Sequence, residues 1–138
     1  MRFRRRAYLY ITRQNGSGDK LLVFRHPSPE AGVQTPGGTI QQDETPTDGA
    51  LREALEETGL SDFSEVRLLV RDEFEGFDEK LERYFFQLKA LSATPDSWGH
   101  MVSAGEADQG LVYNYYWVGL PEAEGLSEHF RAYLHLVE

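Results

Sequence analysis

The 138 residues carry a net charge of −9, are 40% hydrophobic and 27% charged, and include no cysteine. That length holds one core but not two of comfortable size, so a single domain over 1–138 is expected, and the composition excludes a disordered chain. The lack of cysteine excludes a disulfide framework, a thiolate zinc site and a cysteine nucleophile, and it suits a cytoplasmic setting. No apolar run nears the ~20 residues that a membrane span needs. A grip on long nucleic acid requires basic surface that this acidic chain offers only at its N-terminus, so composition argues against long nucleic acid as a partner.

In chain order, MRFRRRAYLYITR is basic and then apolar. Thr12 and Arg13 cut the apolar run short and no small-residue cleavage site follows, so it does not read as a secretory leader. RAYLYITR (6–13) and KLLVFR (20–25) predict strands joined by the turn-rich QNGSGD, a hairpin pattern. Alternation puts Arg2, Arg4 and Arg6 on one side and Phe3 and Arg5 on the other, read here as a solvated edge strand on which Phe3 and Tyr8 would suit a homodimer. HPSPEAGVQTPGG (26–38) predicts loop. A helix is expected from about Thr47 to Thr58, with Thr45 as N-cap, Pro46 at the first helical position and Gly59 at the left-handed C-terminal cap.

SEVRLLVRDEF (64–74) and KLERYFFQLKAL (80–91) predict strands around the turn EGFD. SATPDSWGHMVSAGEADQG (92–110) reads as a long polar loop, LVYNYYWVGL (111–120) as a strand, and LSEHFRAYLHLVE (126–138) as a terminal helix capped by Ser127. Strands mixed with two helices predict an α/β (α+β) sandwich with the sheet between helices.

The stretch LREALEETGL (51–60) carries the chemistry. At about 100° per residue, with Glu53 at zero, Glu57 lies near 40° and Glu56 near 300°. Leu51, Ala54, Leu55 and Thr58 fall between roughly 100° and 200°, which is the stripe expected to be buried. Like charges at this spacing destabilise a helix, and the dipole disfavours acids in its second half. Arg52 can pair with Glu56 but cannot offset three carboxylates. Hard oxygen ligands on one face suit Mg²⁺ or Mn²⁺, while a solvated acidic face explains the same residues without function. The preceding loop TPGGTIQQDE (35–44) adds two glycines that permit close backbone approach, a free carbonyl, and the acids Asp43 and Glu44.

Together, Gly38, five residues, Glu44, seven residues and REALEETGL resemble the Nudix box, G-x5-E-x7-R-E-U-x-E-E-x-G-U with U a bulky aliphatic. Gly38, Glu44, Arg52, Glu53, Glu56, Glu57, Gly59 and Leu60 match, and Ala54 departs from the larger aliphatic of the pattern. The resemblance implies a Nudix-like α/β/α sandwich with a mixed sheet, and metal-dependent hydrolysis of a pyrophosphate bond in a nucleoside diphosphate linked to another moiety. By position it implies that Glu53, Glu56, Glu57 and the Gly37 carbonyl hold Mg²⁺ or Mn²⁺. It also implies that Arg52 orients a glutamate, that Glu44 braces the loop, and that a late-loop acid assists, for which Glu106 is the candidate, with Asp108 nearby. Glu53 is the first choice of base. Arg25 and Gly38 are candidates for substrate contact, as is His26, and Trp98 could stack on a base or anchor its loop. No downstream proline or tyrosine near GFD (76–78) signals the ADP-ribose or dinucleoside polyphosphate subfamilies; nucleotide sugars, (d)NTPs, coenzymes and capped nucleic-acid ends stay open. The alternative reading is a non-catalytic nucleotide-binding module on the same fold.

Overall fold

The structure, a computed structural model, describes residues 2–14, 18–76, 78–91, 93–104 and 108–138. Its strands are β1 (Arg2–Gln14), β2 (Asp19–Arg25), β3 (Val33–Gln34), β4 (Gly37–Ile40), β5 (Phe63–Gly76), β6 (Glu79–Ala90), β7 (Ser97–Met101) and β8 (Val112–Gly119), with one α-helix, α1 (Pro46–Thr58). They form a single mixed sheet in the order β5-β6-β1-β2-β8-β7, with β4 on β1 and β3 on β2. β1 runs parallel to β6 and antiparallel to β2 and β4. This is the mixed sheet of the expected Nudix-like architecture.

The strands form where branched and aromatic residues alternate, because successive side chains point to opposite faces. Along β1, Ala7, Leu9 and Ile11 pack with Ala50 and Ala54 of α1, while Tyr8 and Tyr10 pack with Leu126 and Phe130 on the other face. A strand covered on both faces must read as a continuous apolar run, and AYLYI does. β1 is therefore interior, and the expectation of an edge strand is corrected. Tyr8 is buried, which removes half of the surface expected to carry a homodimer; Phe3 stays 57% exposed.

α1 begins and ends as its sequence dictates. Thr45 Oγ1 accepts from the Asp48 backbone N–H at 3.1 Å, Pro46 occupies the first turn, and Gly59 closes the helix at φ +82°. The β5–β6 hairpin also forms as read, while β7 lies inside the segment expected to be loop. Its edge position and only five residues explain why polar SWGHM gave no strand signal.

The terminal helix does not form; Glu128–Phe130 and Leu134–Leu136 are 3-10 turns, and Ser127 makes no side-chain cap. Tertiary bonds take the backbone groups that a helix would use. Tyr10 Oη donates to the Phe130 carbonyl at 2.8 Å, and Ser127 N–H donates to the Val33 carbonyl at 3.0 Å. Burying Phe130 contributes roughly 1.5–3 kcal/mol that helical periodicity alone does not supply.

Asp72 on β5 ties this segment to the sheet. It accepts from Arg83 Nε at 2.7 Å and Nη2 at 2.5 Å, and from Tyr133 Oη at 2.6 Å. Burial pushes its carboxyl up, but the bonds from Arg83 and Tyr133 outweigh this and hold it below the ordinary value. A depressed folded pKa contributes stability that is present above the unfolded value, about 3.9, and is lost as pH falls through the folded value. Asp72→Asn should lower the Tm at pH 7 by roughly 2–8 °C and flatten the acid limb of Tm against pH below about 4, measured by circular dichroism.

Candidate active site

The helix buries two of its acids, Glu53 and Glu57. Gly49, Ala50, Glu53, Ala54, Glu57 and Thr58 face inward, while Leu55 is 50% exposed. On the wheel with Glu53 at zero, the buried arc runs from about −40° to about 140°, so Glu53 and Glu57 sit inside it. This corrects the stripe expected from hydrophobicity, which placed Leu55 inward. Glu53 is only 7% exposed and Glu57 8%.

Two glycines make that orientation possible. β4 pairs with β1 as Ala7 with Gly38 and Tyr8 with Gly37. A methyl group at Gly38 would overlap the Glu53 carboxylate, and one at Gly37 would overlap the Ala7 carbonyl oxygen. The pair lets the strand lie close to β1 while leaving the space that Glu53 fills.

Arg52 organises the acids. Its Nη1 donates to Glu53 Oε1 at 2.9 Å and to both oxygens of Glu56 at 2.8 and 3.0 Å. Its Nε and Nη2 donate to Glu44 at 3.0 and 2.5 Å, and Nη2 also donates to the Thr39 carbonyl at 2.9 Å. Glu44 in turn accepts from the Gln41 N–H at 2.7 Å. Loop, β4 and helix thus share one guanidinium. This fork raises Arg52 above its ordinary range, and its hydrogen bonds hold Glu44 below the usual carboxylate range.

Burial pushes Glu53 up to about 7, against the pull of Arg52, and pushes Glu57 up to about 8, with the neighbouring Glu53 charge adding to the effect. Two desolvated carboxyls whose burial outweighs the pull of the nearby arginines fit a hard divalent cation by the chemistry of their donors. No three His, Asp or Glu side chains among the described residues already converge as a ligand set, because Arg52 engages Glu53 and Glu56.

The far end of α1 is fixed by the sheet. Its last carbonyls would lack partners within the helix. Tyr115 Oη donates to the Glu57 carbonyl at 2.9 Å and Trp98 Nε1 to the Thr58 carbonyl at 2.8 Å, while His100 Nε2 lies 3.1 Å from the Glu56 carbonyl. Trp98 thus anchors the helix and stacks on Tyr115, with centroids 5.4 Å apart. Spacing in sequence gives no hint of these bonds.

The acids open onto a cleft of about 520 Å³. Gly37, Gly38, Arg52, Glu53, Glu56 and Glu57 line it, joined by Arg4, Arg6, Phe24, Asp108 and Tyr113. Tyr113 donates to Asp108 Oδ2, and His26 Nε2 lies 3.8 Å from Asp108 Oδ1. The Ser28 N–H donates to His26 Nδ1 at 3.0 Å, which leaves the Nε2 proton facing Asp108. Arg25 is exposed at the end of β2 and does not line the cleft. Glu106 lies outside the described residues. Arg4 and Arg6 were read as a solvated stripe; only the pairing of β1 with β4 carries them to the cleft.

A family model for the NUDIX domain matches residues 2–134. Among solved structures, the chain is similar to the MutT protein from Methanosarcina mazei Go1, at 21% identity over 97% of this chain and 91% of that one, with a TM-score of 0.65. It is similar to a C. elegans Ap4A hydrolase in a binary complex, at 15% identity over 96% and 93% of the two chains, with a TM-score of 0.67. It is also similar to the NUDIX domain of Shewanella oneidensis NrtR complexed with ADP ribose, at 15% identity over 99% and 86%, with a TM-score of 0.69. At these identities the structural likeness speaks for the fold. No curated protein matches in sequence. With Arg52, Glu53, Glu56 and Glu57 brought together at the cleft and the family model spanning nearly all of the sequence, the chain belongs to the NUDIX domain family.

Proposed function

We propose that this domain hydrolyses a pyrophosphate bond in a nucleoside diphosphate derivative, in the cytoplasm, with Mg²⁺ or Mn²⁺. The observation that carries this reading is the burial of Glu53 and Glu57 on the cleft floor against Gly37 and Gly38. A helix of ordinary structural purpose would turn these acids to water and bury Leu55, since burying ionisable groups without full compensation is unfavourable.

Glu53, Glu56, Glu57 and the Gly37 carbonyl would hold the cation, which when bound screens the diphosphate and makes water a better nucleophile. Arg52 keeps Glu53 and Glu56 in fixed orientation and neutralises part of their mutual repulsion. Glu44 holds Arg52 from the loop side. Glu53 Oε2 is the oxygen Arg52 leaves free, and it takes the proton of the attacking water. Gly38 keeps the room in which that oxygen sits. Asp108, held by Tyr113 in the same cleft, adds an acid on the late-loop side.

The test is a hydrolysis screen over nucleotide sugars, (d)NTPs, ADP-ribose, dinucleoside polyphosphates and coenzymes with Mg²⁺ or Mn²⁺. Glu53→Gln should lower kcat by about 10²–10⁴-fold on the substrate found. No turnover with nucleotide binding intact would favour the non-catalytic module. Gly38→Ala should lower kcat on the order of 100-fold by displacing the Glu53 carboxylate, with the fold retained by circular dichroism. Mg²⁺ should raise the Tm of the wild type, and Glu57→Gln should reduce that rise; an equal rise in the variant would remove Glu57 from the ligand set.

A further inference from the structure

Three arginines line the cleft: Arg4, Arg6 and Arg52. Two are committed. Arg52 is held by Glu44, Glu53 and Glu56. Arg4 donates to Thr39 Oγ1 at 3.0 Å and to Glu79 Oε2 at 3.3 Å. Arg6 differs: among the described residues its guanidinium makes no hydrogen bond and no ion pair, and its recorded contact is the face of Tyr8, 5.3 Å from the ring centroid. Its charge still reaches the site, where it pulls down the carboxyls of both Glu53 and Glu57.

A half-buried guanidinium left without a carboxylate, in a chain of net charge −9, is unusual because acids are plentiful around it. The Tyr8 ring steadies the guanidinium through a cation–π contact and leaves its N–H fork unspent. Such a fork matches two oxygens of a phosphoryl group. Arg4, two residues and roughly 7 Å along the same face of β1, stiffens the wall through Thr39 and Glu79.

We propose that Arg6 binds a phosphoryl group beyond the cleaved linkage, so that the cleft takes nucleoside triphosphates in preference to nucleotide sugars. This rests on the pyrophosphohydrolase reading above. The glutamates serve one anhydride, and a triphosphate brings a further anion to the arginine that lines the same cleft. An uncharged sugar in that place leaves the guanidinium desolvated without a partner, which disfavours binding.

The experiment measures kcat and KM with Mg²⁺ for UTP and UDP-glucose, using the wild type, Arg6→Ala and Arg6→Lys. The expected result is a higher kcat/KM for UTP in the wild type. Arg6→Ala should raise KM for UTP at least 10-fold, with a smaller rise for UDP-glucose, and Arg6→Lys should recover part of the loss. An equal change on both substrates, or none, overturns the proposal. Where alanine lowers the Tm, Arg6→Gln replaces it. Calorimetric binding of inorganic tripolyphosphate to Glu53→Gln protein, with and without Arg6→Ala, separates the two readings. At least 5-fold weaker binding without Arg6 supports the anion site even if neither nucleotide is hydrolysed, in which case only the hydrolase reading falls. Unchanged binding overturns the anion site, whatever the turnover.

Discussion

The contact between the Glu53 carboxylate and the backbone of Gly38 is the constraint from which the rest of the site follows. It requires a strand without side chains at two successive positions, a helix rotated so that its acids face that strand, and a cation to hold the acids in place. β4 supplies the first, the Thr45 and Gly59 caps set the helix between fixed ends, and Arg52 supplies the third. Because Arg52 is shared by Glu44, Glu53, Glu56 and the Thr39 carbonyl, these groups behave as one unit, and removing any member changes the surroundings of the others.

The sheet carries this unit by an unusual use of its central strand. The first half of β1 pairs with β4, and its end pairs with β2. The two neighbours meet β1 on the same side, and the cleft has Phe24 of β2 and Gly37 and Gly38 of β4 in its lining. Both faces of β1 are covered, one by α1 and one by the chain's last turns, so a shift of register by one residue would turn Tyr8 and Tyr10 into the helix side and expose the glycine contact. The same tight register that stabilises the core therefore aligns the acids with their glycines.

Much of this was legible in the residues. The caps of α1, the β5–β6 hairpin and the spacing from Gly38 to Leu60 rest on local chemistry, which short windows of sequence contain. What was not legible depends on partners distant in the chain. A helical wheel sends acids outward because it knows only water as their alternative, so it placed Leu55 inward. LSEHFRAYLHLVE has a helical period, yet Tyr10 takes the Phe130 carbonyl and Asp72 takes the Tyr133 hydroxyl. Arg4 and Arg6 read as a solvated stripe because an alternating basic strand looks the same at an edge as beside a cleft. Trp98, His100 and Tyr115 close the helix from strands forty or more residues later, a relation that no spacing rule expresses.

The parallel pairing of β1 with β6 also bears on how the chain reaches this state. Arg2 pairs with Glu79 and Thr12 with Lys89, so the longest ladder on the central strand joins the two halves of the sequence. Among the described residues, β1 pairs with β2, its neighbour in the chain, at Thr12, Arg13 and Gln14. The entropy of closing so long a loop must be met before the ladder contributes, whereas β5 and β6 are joined by a short turn and can form locally. The central strand is therefore made before its longest partner and is among the latest to be locked. Until β6 is available, one edge of the apolar stretch AYLYI is unpaired, and the arginines just before it are well placed to keep that edge from pairing with other chains.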